Sequence, residues 1–456
     1  MVRVELRGHP VSDRMRYPAV SSRRIYCGAI GTALCSFAGT AAGAVELLDR
    51  KDTDTKLTLN ADFISAGFME SDPWFGQSKG FLGADTNHWL ELGFEPKLAF
   101  EMPLGRGTLV AQLSGVGTRT YGDDASGLGV GLAHQEAFTL EQANIAWEAK
   151  NLFPGLGEHE FSITLGNQDY SIGTGIIIND GGGDGGRRGG WYIGMRKAFE
   201  ESAIVRLKTS KWLIEGFHLK NHPRAGGIKG EADGANVEYT FADAVLGGSY
   251  LSVNPDIPGA SSLNILSGRV DWGGERDLHL RGEYVYEHNA QIDSAGWYAE
   301  IVYTAKAARW TPVFSYRYAH FDGNKPGTSK DEQFREIAYG STDYGTWYQG
   351  EIAGNYPLGN ANVVSQMVRA KLKPTETLTT NLIYYRFTLD QPSALAANVT
   401  DDHFGDEIDL TADWQATEKL LVTGVFGALL PGDAAKQWTG GNKAWLSSML
   451  LINYSW

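Results

Sequence analysis

The sequence predicts an all-β protein: a transmembrane, antiparallel, up-and-down β-barrel of eighteen strands. Three observations predict it. Segments of about ten residues that alternate apolar and polar recur along the chain, the period of a strand with one face to lipid and one to a lumen. The breaks between them are alternately short and long, as a cylinder with turns at one end and loops at the other requires. Beyond the N-terminus no run approaches the roughly 18 apolar residues of a membrane-spanning helix.

The first 44 residues read separately. Arg16, Arg23 and Arg24 precede an apolar run of small residues (IYCGAIGTALCSFAGTAAGA) that closes on Ala42-Gly43-Ala44. That is the pattern of a secretory signal with an A-x-A cleavage site, which makes Val45 the expected start of the mature chain. Met15 is a second candidate start. Both cysteines, Cys27 and Cys35, lie in this segment, so residues 45–456 are a cysteine-free stretch expected to form one barrel domain. The net charge of −14 for the whole sequence becomes about −18 once the six arginines and two acids of residues 1–44 are removed. So acidic a chain lacks the basic face that nucleic acid demands.

Taken in order, strands are expected near Thr55–Phe68, Thr86–Glu101, Gly107–Tyr121, Ala133–Lys150, His159–Ile172 and Gly190–Phe199, the last running on irregularly to Lys208. The next six are Trp212–Asn221, Gly234–Ala242, Ala244–Val253, Leu263–Asp271, Asp277–His288 and Gly296–Lys306. The final six are Arg309–His320, Asn362–Lys373, Leu378–Leu389, Gly405–Ala416, Lys419–Leu430 and Lys443–Trp456. Tight breaks such as Pro103–Arg106 and Asp243 alternate with long ones such as Gly173–Gly189, Phe321–Ala361 and Asp390–Phe404. An even count puts both ends of the barrel chain on the turn side.

Individual strands carry the alternation. In Asp277–His288 one face holds Leu278, Leu280, Gly282, Tyr284 and Tyr286, the other His279, Arg281, Glu283, Val285 and Glu287. Phe94, Trp147, Trp191, Trp212, Trp272, Trp297, Trp310, Tyr385, Trp414 and Tyr454 fall near strand ends, where a lipid–water girdle of aromatic rings would lie. In the terminal stretch KAWLSSMLLINYSW, every second residue back from Trp456 gives Tyr454, Ile452, Leu450, Ser448 and Leu446. That face suits lipid. The stretch must pair with the strand near Thr55, because hydrocarbon offers an open edge no hydrogen-bond partner. It also resembles the C-terminal signature by which the barrel-assembly machinery of bacterial outer membranes recognises its clients.

No catalytic constellation stands out: there is no HExxH, no G-x-S-x-G, and the glycine run 181–190 lacks the Lys-Ser/Thr of a phosphate loop. That run reads as a loop. Asn179, Asp180 and Asp184 within it have oxygens suited to a hard cation, but the spacing matches no metal motif, and neither metal nor cofactor is expected.

The informative residues are the inward charges. Strand parity turns Arg196, Arg269, Arg281, Arg317, Arg369, Lys371 and Arg386 into the lumen, together with Glu91, Glu95, Asp271, Glu283, Glu287, Glu300, Glu407, Asp409 and Asp413. They can serve as a salt-bridge lattice that braces the wall, as uncompensated cations at a constriction that select anions, or as both.

The run from Leu266 to Asp433 resembles the alginate export family of Gram-negative outer-membrane barrels. The matching pieces are SGRVDW and LHLRGEYVYEHN, then GWYAEIVYT and TPVFSYRYAHFDGN with Phe334 downstream, YGSTDYGTWYQGEI, GDEIDLTADWQAT and LLPGDA. Upstream, LGNQDYSIGTGIII and RRGGWYIGMRKAF look like further family segments. The resemblance implies an eighteen-stranded barrel and passive export of an anionic polyuronate through a basic constriction, with Arg269, Arg281, Arg317 and Arg369 lining the pore. The expected setting is the outer membrane of a Gram-negative bacterium. The expected partners are outer-membrane lipid and lipopolysaccharide, the barrel-assembly machinery and an anionic saccharide, with the barrel a monomer and not an enzyme. The alternative is a substrate-specific porin that takes up a small anionic or aromatic nutrient, with loop Phe321–Ala361 and its Tyr339, Tyr344, Trp347 and Tyr348 as plug or aromatic slide.

Overall fold

The structure is a computed structural model and describes residues 44–83, 87–127, 129, 131–222, 229–338, 340 and 349–456. The signal segment through Gly43, with both cysteines, and Tyr339, Tyr344, Trp347 and Tyr348 lie outside the described residues. The strands are β1 Val45–Arg50, β2 Thr55–Ser71, β3 His88–Leu104, β4 Gly107–Tyr121, β5 Glu136–Lys150, β6 His159–Gln168 and β7 Phe199–Thr209. They continue as β8 Trp212–Lys220, β9 Gly230–Phe241, β10 Ala244–Pro255, β11 Leu263–Trp272, β12 Leu278–His288 and β13 Asp293–Thr304. The rest are β14 Val313–Phe321, β15 Val363–Thr375, β16 Leu378–Thr388, β17 His403–Thr417, β18 Leu420–Pro431 and β19 Trp445–Ser455.

Each strand from β2 to β19 pairs antiparallel with the next, and β19 pairs with β2 over Leu446↔Ser71 to Ser455↔Asp62, closing an eighteen-strand barrel. Closure leaves no barrel strand with an unsatisfied edge. The terminal Trp456 extends the seam by one residue, exchanging backbone hydrogen bonds of 3.1 and 2.8 Å with Ala61. Immediately below, β1 takes over the same edge of β2, from Val45↔Leu59 to Arg50↔Thr55.

The outer wall is apolar because alternate side chains face out. Leu446, Leu450, Ile452 and Tyr454 of β19 are exposed, while Ser447, Met449 and Leu451 are buried inside. Leu278, Leu280 and Tyr284 of β12, and Ile408, Leu410 and Trp414 of β17, face out in the same way. So continuous an apolar band far exceeds the few-hundred-Å² patches that soluble monomers expose, and lipid is the solvent that fits it. Trp212, Trp310, Trp414 and Tyr454 are exposed near the turn end, in girdle positions.

Two expectations about segments are corrected. Residues 190–198 are not strand: Gly185, Gly186, Gly189, Gly190 and Gly194 all have φ between +53° and +87°, a backbone that a strand cannot adopt, and β7 begins only at Phe199. Trp191 and Tyr385 are not girdle rings, since both are buried within the barrel.

Candidate functional site: two in-folded loops and a charged wall

The lumen is occupied from the loop end by two segments, loop A (169–198, between β6 and β7) and the described parts of loop B (322–338, 340 and 349–362, between β14 and β15). Loop A buries Ile172, Ile176, Ile177, Ile178, Trp191, Tyr192, Ile193 and Met195, and loop B buries Ile352, Ala353, Tyr356 and Leu358. These apolar residues withdraw from water only by folding into the barrel. The loops join there through a parallel bridge, Ile178↔Ala338. The Asn179 N–H donates to the Ala338 carbonyl (2.6 Å) and the Gly340 N–H to that of Gly175 (2.9 Å). The rings of Tyr192 and Tyr356 meet at 5.6 Å, and Tyr356 lies 4.8 Å from Trp445 at the closing seam.

What ties the loops to the wall is a repeated device, a buried strand carboxylate that accepts main-chain N–H groups of a loop. Glu91 on β3 accepts from Tyr192 (2.9 Å) and Ile193 (3.0 Å). Glu141 on β5 accepts from Lys197 (2.5 Å) and Ala198 (2.7 Å). Glu407 on β17 accepts from Ile352 (2.6 Å) and Ala353 (2.8 Å), and its strand neighbour Asp409 from Glu351 (3.0 Å). Glu287 on β12 accepts from Arg335 N–H (2.9 Å) and Ser294 (2.9 Å). The paired donors offset part of the desolvation of each buried carboxyl group. At Gly93 the loop lies so close that a Cβ would collide with Met195 and Ile193.

At the seam, Glu70 accepts from Trp445 Nε1 (2.6 Å), Ser447 Oγ (2.7 Å) and Tyr356 Oη (3.3 Å). The first strand of the barrel, the last strand and loop B thus share one carboxylate.

Arg196, expected to line the pore from a strand, is instead a brace within loop A. Its guanidinium donates to Asp184 (2.6 Å), Thr118 Oγ1 (2.7 Å), Thr139 Oγ1 (2.7 Å) and the carbonyls of Val116 and Ala137 (3.1 Å each). A guanidinium has five N–H donors, and all are used. Asp184 is therefore committed to Arg196 rather than free for a cation. Burial pushes the Asp184 carboxyl up to about 6, with Arg196 opposing the shift. Arg386 is also corrected: on β16 the inward residues are Asn381, Ile383, Tyr385 and Phe387, so Arg386 faces outward, 50% exposed and 3.9 Å from Asp406. Its place in the alternation, one residue from Tyr385, decides this.

The remaining predicted residues do face inward, on neighbouring strands. Arg269 on β11 pairs with Glu238 (2.7 Å) and bonds Ser249 (2.9 Å) and Asn236. Beneath loop A, Glu283 accepts from Ser267 (2.8 Å) and Thr174 (3.4 Å). Arg281 lies 3.2 Å from Asp271. Across the strands, register sets Asp271, Arg281, Glu300 and Arg317 in one row of alternating sign. Arg369 donates to Ser315 (3.2 Å), and Lys371 lies one inward position nearer the turns.

Water reaches this wall from one end. On β12, Glu287 and Glu283 near the loops are 0% and 4% exposed, while the side chains of Arg281 and its neighbour Asp271 are 27% and 48% exposed. Arg269, Arg317 and Arg369 are largely buried, whereas Arg281 and Lys371 meet the wet, turn-side half of the lumen.

A family model described as alginate export matches residues 255–444. Over that stretch, β11 to β18, the match agrees with the resemblance read from the sequence. No curated protein matches the chain. Solved barrels of Pseudomonas aeruginosa are similar in shape. OccD3 (OpdP) is 14% identical and aligns over 91% of this chain and 93% of its own, with a TM-score of 0.55. The outer membrane protein OpdK is 13% identical over 87% and 99%, at 0.55. OprD is 12% identical over 88% and 93%, at 0.53. At such identities the likeness is one of fold: a porin-type barrel.

Proposed function

We propose, from the match of residues 255–444 to the alginate export family, that the chain is an outer-membrane channel of a Gram-negative bacterium. It lets an anionic polysaccharide of the polyuronate class leave the cell by diffusion, without catalysis. One observation carries the reading. Arg269, Arg281, Arg317, Arg369 and Lys371 lie on the inward face of the neighbouring strands β11, β12, β14 and β15, all within the matched stretch. A carboxylate passing within a Debye length of them, about 8 Å at physiological salt, is attracted, and the acids interleaved with them keep that attraction weak enough to release it.

Of these cations, Arg281 and Lys371 meet water and act on the permeating charge, while Arg269, Arg317 and Arg369 hold the wall on which they stand. Reversal potentials in planar bilayers test this. Arg281→Glu with Lys371→Glu lowers anion-over-cation permeability several-fold, and unchanged selectivity removes the role.

The in-folded loops favour a second reading, substrate-specific uptake of a small anionic or aromatic nutrient, because a lumen filled from the loop end discriminates against bulky polymers. Liposome swelling separates the two. Uronate oligomers enter readily in the export reading, whereas a sharp cut-off at monomers supports uptake.

A further inference from the structure

Three side chains at the loop-end rim lie outside the lumen and outside the function just argued. His320 is the last outward residue of β14, opposite Trp297 of β13. Asp322 follows it at the base of loop B, and Asp390 stands just past β16 in the β16–β17 loop. We propose that His320, Asp322 and Asp390 form a binding site for a divalent transition cation such as Zn²⁺, which staples the base of loop B to the β16–β17 loop.

The geometry of the donors is the first argument. One ligand atom from each residue lies within 4.8 Å of the other two. His320 Nε2 stands 3.4 Å from Asp322 Oδ1 and 3.2 Å from Asp390 Oδ1. A metal with ligands at about 2.0–2.2 Å holds them about 3.0–3.5 Å apart in tetrahedral or octahedral arrangement. Direct imidazole–carboxylate hydrogen bonds are shorter, and the same protein makes them: His218 to Asp233 at 2.8 Å and His403 to Asp406 at 3.0 Å. His320 Nε2 is enclosed and makes no hydrogen bond of good geometry, although it is aimed between two carboxylates. That placement holds a positive charge between the two carboxylates, and a bound cation would take the place of the ring proton there.

The second argument is how the carboxylates are held. Asp322 Oδ2 accepts from the Ala295 N–H (2.8 Å), and Asp390 Oδ2 accepts from the Gly323 N–H (2.9 Å). In each, one oxygen is fixed by main chain and the other is turned to the imidazole, as in metal sites whose outer hydrogen bonds orient the ligands. Asn362 braces the base, accepting from the Gln391 N–H (2.7 Å) and donating to its carbonyl (3.0 Å). One nitrogen and two carboxylate oxygens suit Zn²⁺ or its neighbours, while Ca²⁺ prefers six to eight oxygens.

The test is calorimetric titration of Zn²⁺ into the detergent-solubilised, chelator-stripped full chain, together with its thermal unfolding. One equivalent is expected to bind at micromolar or tighter affinity and to raise the unfolding midpoint by several degrees. His320→Gln and Asp390→Asn each lower the affinity at least 100-fold, and His218→Gln, at an ordinary ion pair, leaves it unchanged. Should a rim variant fold poorly, the d–d absorption of Co²⁺ bound to the unaltered chain reads the same nitrogen–oxygen ligand set. Absence of stoichiometric binding, equal affinity in the rim variants, or binding of Ca²⁺ in preference to Zn²⁺ overturns the proposal.

Discussion

Glu407 of β17 holds the main chain of loop B through two N–H groups, Ile352 at 2.6 Å and Ala353 at 2.8 Å, and no cation stands opposite it in register, where its neighbours are Tyr385 and Leu429. The loop itself is the counterpart of the wall carboxylate. A lumen built this way stays filled because removing the loop strands buried acids, and each stranded group costs more than an ordinary lost hydrogen bond.

Replacing Glu407 with Ala should therefore loosen loop B by about 1–3 kcal/mol, the net worth of two hydrogen bonds to a buried acceptor. Hydrogen exchange of residues 349–358 is expected to accelerate while the β17 amides stay protected, and single-channel conductance to rise. If exchange is unchanged, the clamp is not what holds the loop.

Arg196→Met leaves Asp184 buried without its guanidinium and the Val116 and Ala137 carbonyls without their donor. Breaking a buried pair from one side costs about 3–5 kcal/mol. A lower unfolding midpoint in detergent is expected, with ion selectivity preserved, because this arginine braces loop A and does not face the permeating solute. Altered selectivity with unchanged stability would return it to the pore lining.

Acid should tighten the same loop. Burial raises the Asp184 carboxyl from 3.8 to about 6, so the docked loop binds this proton more strongly than the released one. For an acid shifted upward the sign is clear: docking gains as pH falls from about 6 towards 4 and loses as pH rises through 6. Exchange protection of residues 184–198, corrected for intrinsic rates, is expected to grow across that window. In Asp184→Asn it should be flat.

Leu450 lies on the lipid face of β19, 56% exposed. In a soluble protein Leu450→Arg would be nearly neutral. In a membrane barrel it costs about 2–4 kcal/mol near the bilayer centre. Folding titrations into lipid vesicles distinguish the two, and a neutral result would remove the bilayer from the account.

The architecture was legible because each strand crosses between two solvents, and its alternation writes that crossing into sequence. Gly107–Tyr121 is predicted and found with the same bounds, and most other strands shift by a few residues at their ends. The lumen was only half legible. Parity turns Glu91, Glu407 and Asp409 inward, but nothing local says that their partners are loop amides dozens to a hundred residues away. One signal was present: these acids sit near the loop end with no basic residue in register beside them, and an unpaired inward carboxylate must find donors elsewhere. Arg386 went astray by a single step of the period. Residues 190–198 read as strand because Trp191, Tyr192, Ile193 and Met195 give them the apolar, aromatic content of one, while the glycine conformations that forbid a strand do not show in polarity.

The joint between Ala61 and Trp456 has a kinetic side. Two stretches nearly four hundred positions apart must meet before the cylinder shuts, and gathering so long a chain costs roughly 5 kcal/mol of disorder that no neighbouring hairpin shares. Every other pair of adjacent staves is consecutive in sequence, and even the longest connection, loop B between Phe321 and Val363, is about a tenth of that span. The loop-closure cost makes the β2–β19 pair the one expected to form last, and until it does the edge of β2 lies bare above the short stretch that pairs with β1.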